Sequence, residues 1–183
     1  LTALGAASLM ALTACSGGTA SSSQSSTSAT ASSSSSAPSS ITIESDQGNV
    51  EIKLPVQRVA SLDNRTFEVL AQWNVPLVAA PKKLIPSTVK AYNTDSVADI
   101  GMHRDPNLEA LAASNPDLII SGQRFTRFDA QIAEMNPGVP LINLEPRDGK
   151  PLNEELIRQV TDLGEIFGHQ EDAKKLVDDF NNA

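Results

Sequence analysis

The charged residues of this chain begin abruptly. All 36 Asp, Glu, Lys and Arg residues lie after residue 43 of 183. Only the 140 residues from Glu44 to Ala183 therefore have the composition of a water-facing globular surface. That length supports one modest core and excludes a multidomain enzyme. The formal charge of -8 and the pI near 4.7 argue against a nucleic-acid partner, because phosphate neutralisation needs an excess of Lys and Arg. An anionic partner would have to be met by a local basic patch. One cysteine excludes an internal disulfide framework, and two histidines cannot build a Cys/His metal cage.

The uncharged head reads as an export and anchoring segment. Residues 1–14, LTALGAASLMALTA, are too short to span a bilayer but have the length of a signal-peptide core. No initiator Met or basic region precedes Leu1, so the start of the chain is expected to be missing. Leu12, Thr13, Ala14 and Cys15 resemble a bacterial lipobox, which makes Cys15 the expected lipidation site; the alternative is an idle free thiol. Residues 16–40 contain 14 serines and no charge, and cannot bury enough apolar surface to fold. A flexible tether of that length reaches about 25 to 30 Å. Lipid anchor and tether together predict a protein held on the extracytoplasmic face of a cell membrane.

From Ile41 the pattern becomes structural. Ile41 and Ile43, a turn over Asp46–Asn49 with Gly48, then Val50, Ile52 and Leu54 predict an edge hairpin. Short apolar runs then alternate with amphipathic stretches: RVASLD, the helix Asn64 to Asn74, PLVAAP, VADIG, the helix Pro106 to Ser114, DLIISG, the helix Phe128 to Asn136, and VPLINLEP. This alternation predicts an α/β fold, a mostly parallel Rossmann-like sheet with helices on both faces, preceded by the β-hairpin. Asp105 and Pro106 read as cap and first position of the second helix. Asn153 to Phe167 reads as a longer helix stopped by Gly168. A further helix starts at Gln170 and runs to the end without a cap, so truncation at both ends is expected. The expected boundaries are a signal with lipobox over 1–15, a tether over 16–40, a binding lobe over 41–168, and the start of another helix over 169–183.

In an open parallel sheet ligands bind beyond the carboxyl ends of the strands. The residues following the apolar runs are basic: Arg65, then Lys82 and Lys83, His103 and Arg104, Arg124 and Arg127, and Arg147. Half of the 14 Lys and Arg residues thus fall on one rim of an acidic chain. Arg65 in the first turn of a helix would oppose the macrodipole, a mismatch of roughly 0.3 to 1 kcal/mol that an anionic ligand would offset. The guanidinium fork donates in pairs to carboxylate or phenolate oxygens without losing its charge. Asp63 is expected to cap the first helix, with Glu68 on its surface. His103 beside Met102 lacks a second soft-metal ligand, and Phe125 and Phe128 are expected to pack in the core. No phosphate loop, nucleophile elbow or HExxH motif is present, so an enzyme is not expected.

The strings DNRTFEVLAQWNV and SVADIGMHRDPNLEALAASNPDLIISGQRF, behind a lipobox and serine tether, resemble the iron-siderophore substrate-binding lipoproteins of bacterial ABC importers, a helical-hinge class of solute-binding protein. The most specific stretch runs from Pro106 through Phe125. The resemblance implies two α/β lobes joined by a long helix, with the present chain as the amino-terminal lobe and residues 169–183 as the start of the interlobe helix. It implies a ferric siderophore as transported ligand, no resident cofactor, and delivery to an ABC permease in the cytoplasmic membrane. In catecholate binders of this class an arginine after the PDLII strand meets the anionic complex, which matches Arg124; the commoner order sets Arg directly after Gly, whereas Gln123 intervenes here, so Arg124 and Arg127 both remain candidates. In related proteins a glutamate of the PNLE helix docks on arginines of the permease, which matches Glu109, although an early helical glutamate also serves the dipole. Iron ligands in the class come from the other lobe, so no metal ligand is assigned. The expected ligand-binding set is Arg65, His103, Arg104, Arg124 and Arg127. Haem or a cobalamin on the same scaffold is the alternative ligand. A surface lipoprotein without ligand would instead pair its rim arginines with carboxylates such as Glu145 and Asp129.

Overall fold

A computed structural model describes residues 38–183. The expected export signal, Cys15 and most of the serine-rich tether lie outside the described residues.

Alternating apolar residues make the opening ribbon. Strands β1 (Ser40–Ser45) and β2 (Gly48–Lys53) pair antiparallel from Ser40↔Lys53 to Ser45↔Gly48, and Gly48 takes φ 114°, a conformation that favours glycine. The ribbon does not extend the main sheet, as an edge hairpin would. It packs Ile43 and Ile52 into the core, and its tip is tied to a strand end by Asp46 N–H donating to the Asn143 carbonyl at 2.9 Å.

The main sheet has five parallel strands: β3 (Val59–Ser61), β4 (Leu77–Ala80), β5 (Ala98–Asp99), β8 (Leu118–Ser121) and β9 (Leu141–Asn143). Their order is β5-β4-β3-β8-β9. A small antiparallel pair, β6 (Gly101–Met102) and β7 (Asp105–Pro106), follows β5. The helices are α1 (Phe67–Gln72), α2 (Leu108–Ala113), α3 (Asp129–Met135), α4 (Leu152–Phe167) and α5 (Gln170–Asn181).

Successive strand side chains point to opposite faces, so the sheet feeds two cores. Val59, Leu118, Ile120 and Ile142 join Phe67 and Leu70 of α1, Leu163 and Ile166 of α4 and Ala173 of α5. Ala60, Ile119 and Leu141 face Leu108 and Leu111 of α2 and Ile132 of α3. Helices therefore cover both faces, as the sequence predicts, and a strand buried on both sides explains the consecutive apolar residues Leu118, Ile119 and Ile120.

Gly168 ends α4 in the left-handed region at φ 73°, and the His169 N–H closes on the Gly164 carbonyl at 2.8 Å. α5 can then fold back tightly, since a β-carbon on Gly164 would meet the Ala173 methyl at 2.6 Å. The His169 ring stacks on Trp73 at 5.1 Å. This joint lies with Val56, Val75 and Pro76, which precede β3 and β4, at the amino ends of the strands.

Candidate functional site

The chain leaves β3 outward through β4 to β5, then returns to the other side of β3 with β8 and β9. The loops after β3 and β8 therefore diverge, and such a switch point opens a crevice at the carboxyl edge of a parallel sheet. A shallow cavity of about 230 Å³ lies there, among Leu62, Asn64, Leu84, His103, Gln123 and Arg124, with Phe125 beneath.

Gly122 lets the two strand ends approach. A β-carbon there would sit 2.5 Å from Asp63 Oδ2. Gln123 then adopts φ 53°, an uncommon conformation for a residue with a side chain. Its amide donates to Asp63 Oδ1 at 3.1 Å and to Asn64 Oδ1. A 3-10 turn follows over Gln123–Phe128, closed by Thr126 Oγ1 donating to the Gln123 carbonyl at 2.8 Å. Phe125 is buried in the second core cluster, so the turn leaves Arg124 and Arg127 exposed on either side.

These two arginines meet His103, which stands with Arg104 in the β6–β7 turn. Arg124 Nη1 lies 3.4 Å from His103 Nε2, and Arg127 Nη2 donates to the His103 carbonyl. The Arg127 guanidinium also lies 4.6 Å from the centre of the Phe128 ring, a cation–π contact. The His103 pKa is lowered, by desolvation first and then by the charges of Arg124, Arg104 and Arg127. The neutral ring can accept from Arg124. Among the described residues Arg104, Arg124 and Arg127 make no ion pair. The structure thus brings together four of the five expected binding residues as one cationic cluster.

Arg65 belongs to a different group. α1 begins only at Phe67, so Arg65 sits in the preceding turn and not in the first turn of the helix. Its charge is met by the chain: Nη2 lies 2.7 Å from Asp63 Oδ2 and 3.3 Å from Glu145 Oε1. Asp63 does not cap α1. Its wholly buried carboxylate accepts from the Arg65 main-chain N–H at 2.9 Å, from the Arg65 side chain, and from Gln159 on α4 at 3.3 Å. Burial lowers the Arg65 pKa, but hydrogen bonding to and attraction by the two carboxylates outweigh it and raise the value. Arg147 is also removed from the rim, bound to Glu155 at 2.7 Å and Glu44 at 2.8 Å. Lys82 donates to the Thr94 carbonyl at 2.7 Å. Asp129, proposed as an arginine partner in the ligand-free reading, instead accepts from Ser121, Asn143 and Gln47.

Asp105 and Pro106 do not open α2. They pair with Met102 and Gly101, and Asn107 is the cap, its side chain accepting from the Ala110 N–H at 2.9 Å. Asn is as good a cap as Asp, and the strand claims the Asp-Pro pair first. Glu109 is exposed in the first turn of α2 and borders, with Arg104 and Phe128, a second cavity of about 320 Å³. Phe128 is half-buried against the core beside it. Among the described residues no three His, Cys, Asp or Glu side chains gather closely enough to hold a metal ion.

Gln123, Asn64 and Glu145 are site residues that the expected set omits. For Gln123 and Asn64 the only sequence signal is the Gly-Gln step after a fully buried strand, whereas Glu145 enters the sequence reading only as a partner for a rim arginine, and it does pair with Arg65.

Comparison with known proteins agrees with this fold. The chain is 33% identical over 139 residues to the ferric-anguibactin-binding protein FatB of Vibrio anguillarum, covering 75% of this chain and 43% of that protein. The petrobactin-binding protein YclQ of Bacillus subtilis is 21% identical over 131 residues, covering 70% and 40%, and its crystal structure matches with a TM-score of 0.70 over 78% of this chain and 50% of that one. The siderophore-binding protein BauB, solved with two acinetobactin molecules and ferric iron, is 25% identical with a TM-score of 0.69, covering 78% and 51%. The chain spans less than half the length of these curated relatives. The match to the family described as periplasmic binding protein runs over residues 59–183, the whole of the parallel sheet and both terminal helices, and the chain belongs to that family.

Proposed function

We propose that this chain is the amino-terminal lobe of an extracytoplasmic binding lipoprotein that captures an anionic ferric siderophore and delivers it to an ABC permease. The observation that carries the reading is the cluster of Arg104, Arg124 and Arg127 around His103, without an ion pair among the described residues, beside the switch-point crevice of a chain whose net charge is -8. An anionic chelate supplies the missing counter-charge and accepts paired donors. The relatives named for ferric anguibactin, petrobactin and acinetobactin support iron chelates as the ligand class.

Within the cluster Arg127 is already held by the His103 carbonyl and the Phe128 ring, so Arg124 is the principal contact and Arg127 shapes its surroundings. Arg65 acts at the margin, through its pairing with Asp63 and Glu145. α5 begins the connection to a second lobe, Glu109 engages the permease from α2, and a lipid on Cys15 holds the protein at the membrane. The test is calorimetric titration of the chain with a ferric tris-catecholate chelate. Arg124→Ala should weaken binding by about 1.5 to 3 kcal/mol, the range for a hydrogen bond to a charged group. Unchanged affinity removes Arg124 from the site.

A further inference from the structure

One set of donors at the crevice is already taken by the chain itself. Glu145, on the loop after β9, turns its carboxylate towards β8, where Oε1 accepts from the Gln123 main-chain N–H and lies 3.3 Å from Arg65 Nη2. The Gln123 N–H opens the 3-10 turn that carries Arg124, and the first N–H groups of such a turn have no partner within it. An anion arriving beside Arg124 would therefore find the main-chain donor that opens this turn occupied. The Glu145 backbone is fixed independently, by its N–H to Asn143 Oδ1 at 3.0 Å and by Arg158 donating to its carbonyl at 2.9 Å. Its side chain remains a quarter exposed, so it can swing away without moving the loop.

We infer that Glu145 is an internal competitor, a carboxylate that holds the Gln123 N–H and Arg65 until a more highly charged ligand displaces it, so that it sets the charge a chelate must carry to bind. This rests on the anion-site reading above. A neutral chelate has no charge with which to expel a carboxylate from two donors. A trianionic one gains Arg65 and the Gln123 N–H together with the cluster at His103.

The experiment is an amide-resolved NMR titration of the chain with two diamagnetic probes, the gallium(III) complex of a hexadentate tris-catecholate, charge -3, and the neutral gallium(III) complex of a trihydroxamate. Glu145→Gln preserves size and removes the competing charge. It should tighten binding of the trianion about three- to tenfold, the scale of one partly exposed charge interaction, and leave the neutral complex unchanged. In the unsubstituted chain the Gln123 amide resonance should move as the trianion is added. Equal or weaker trianion binding by Glu145→Gln, with Arg124→Ala still weakening it, overturns the competitor role alone. A stationary Gln123 resonance while the His103 ring signals shift does the same. No trianion binding by the unsubstituted chain overturns the anion site itself, and this inference with it.

Discussion

Gly122 and Asp63 show how little slack the crevice has. Gly122 takes φ 171°, extended backbone open to any residue, so its restriction is purely one of space. A methyl group there would press on a buried carboxylate that Arg65, Gln123 and Gln159 hold on several sides. Gly122→Ala should destabilise the fold by about 1 to 3 kcal/mol, as overpacking does, which urea unfolding would register. At this scale the sequence was only partly legible. Arg124, Arg127, His103 and Arg104 follow apolar runs and do converge. Arg65 and Arg147 follow apolar runs too, yet end in ion pairs: the pattern casts Asp63 as a helix cap and not as an arginine partner, Glu145 lies far along the chain, and Glu155 sits on a helix face that pattern alone does not orient.

Among the elements, α4 is the one that binds others to it by charge. Its Glu155 accepts from Arg147 and Arg158, and Arg158 also reaches Asp162 and the Glu44 carbonyl on β1. The Glu155 pKa falls to about 2, chiefly through its hydrogen bonds from Arg147. Its contribution to stability is present above its ordinary value of 4.5 and is lost as pH falls towards 2. Asp162 behaves oppositely. Burial raises it from 3.8 to about 6 despite Arg158, so the native chain takes up this proton first and stability rises as pH falls from 6 to 3.8. Asp162→Asn should be more stable than the unsubstituted chain at pH 7 by up to about 3 kcal/mol, with the gap closing by pH 4, as denaturant midpoints at several pH values would reveal. The elements themselves were largely readable, since strand and helix periodicities differ. The β6–β7 pair was not, because two-residue strands carry no period and Asp-Pro before Asn reads equally well as a cap.

Across the whole molecule, charge is segregated: an acidic protein carries a cationic cluster at the carboxyl edge of its sheet. Attraction at exposed guanidinium groups is screened over about 10 Å at 0.1 M salt. Raising sodium chloride from about 0.05 to 0.5 M should therefore weaken trianionic chelate binding by about tenfold and leave a neutral chelate nearly unaffected, a comparison that isothermal titration makes directly. The opposite end of the sheet has another character. There the single tryptophan of the chain lies flat against His169, at the root of α5 and away from the arginines. Its intrinsic emission is in consequence a gauge of how firmly the last helix is seated, and a guest that merely touches the far edge would leave that light unchanged.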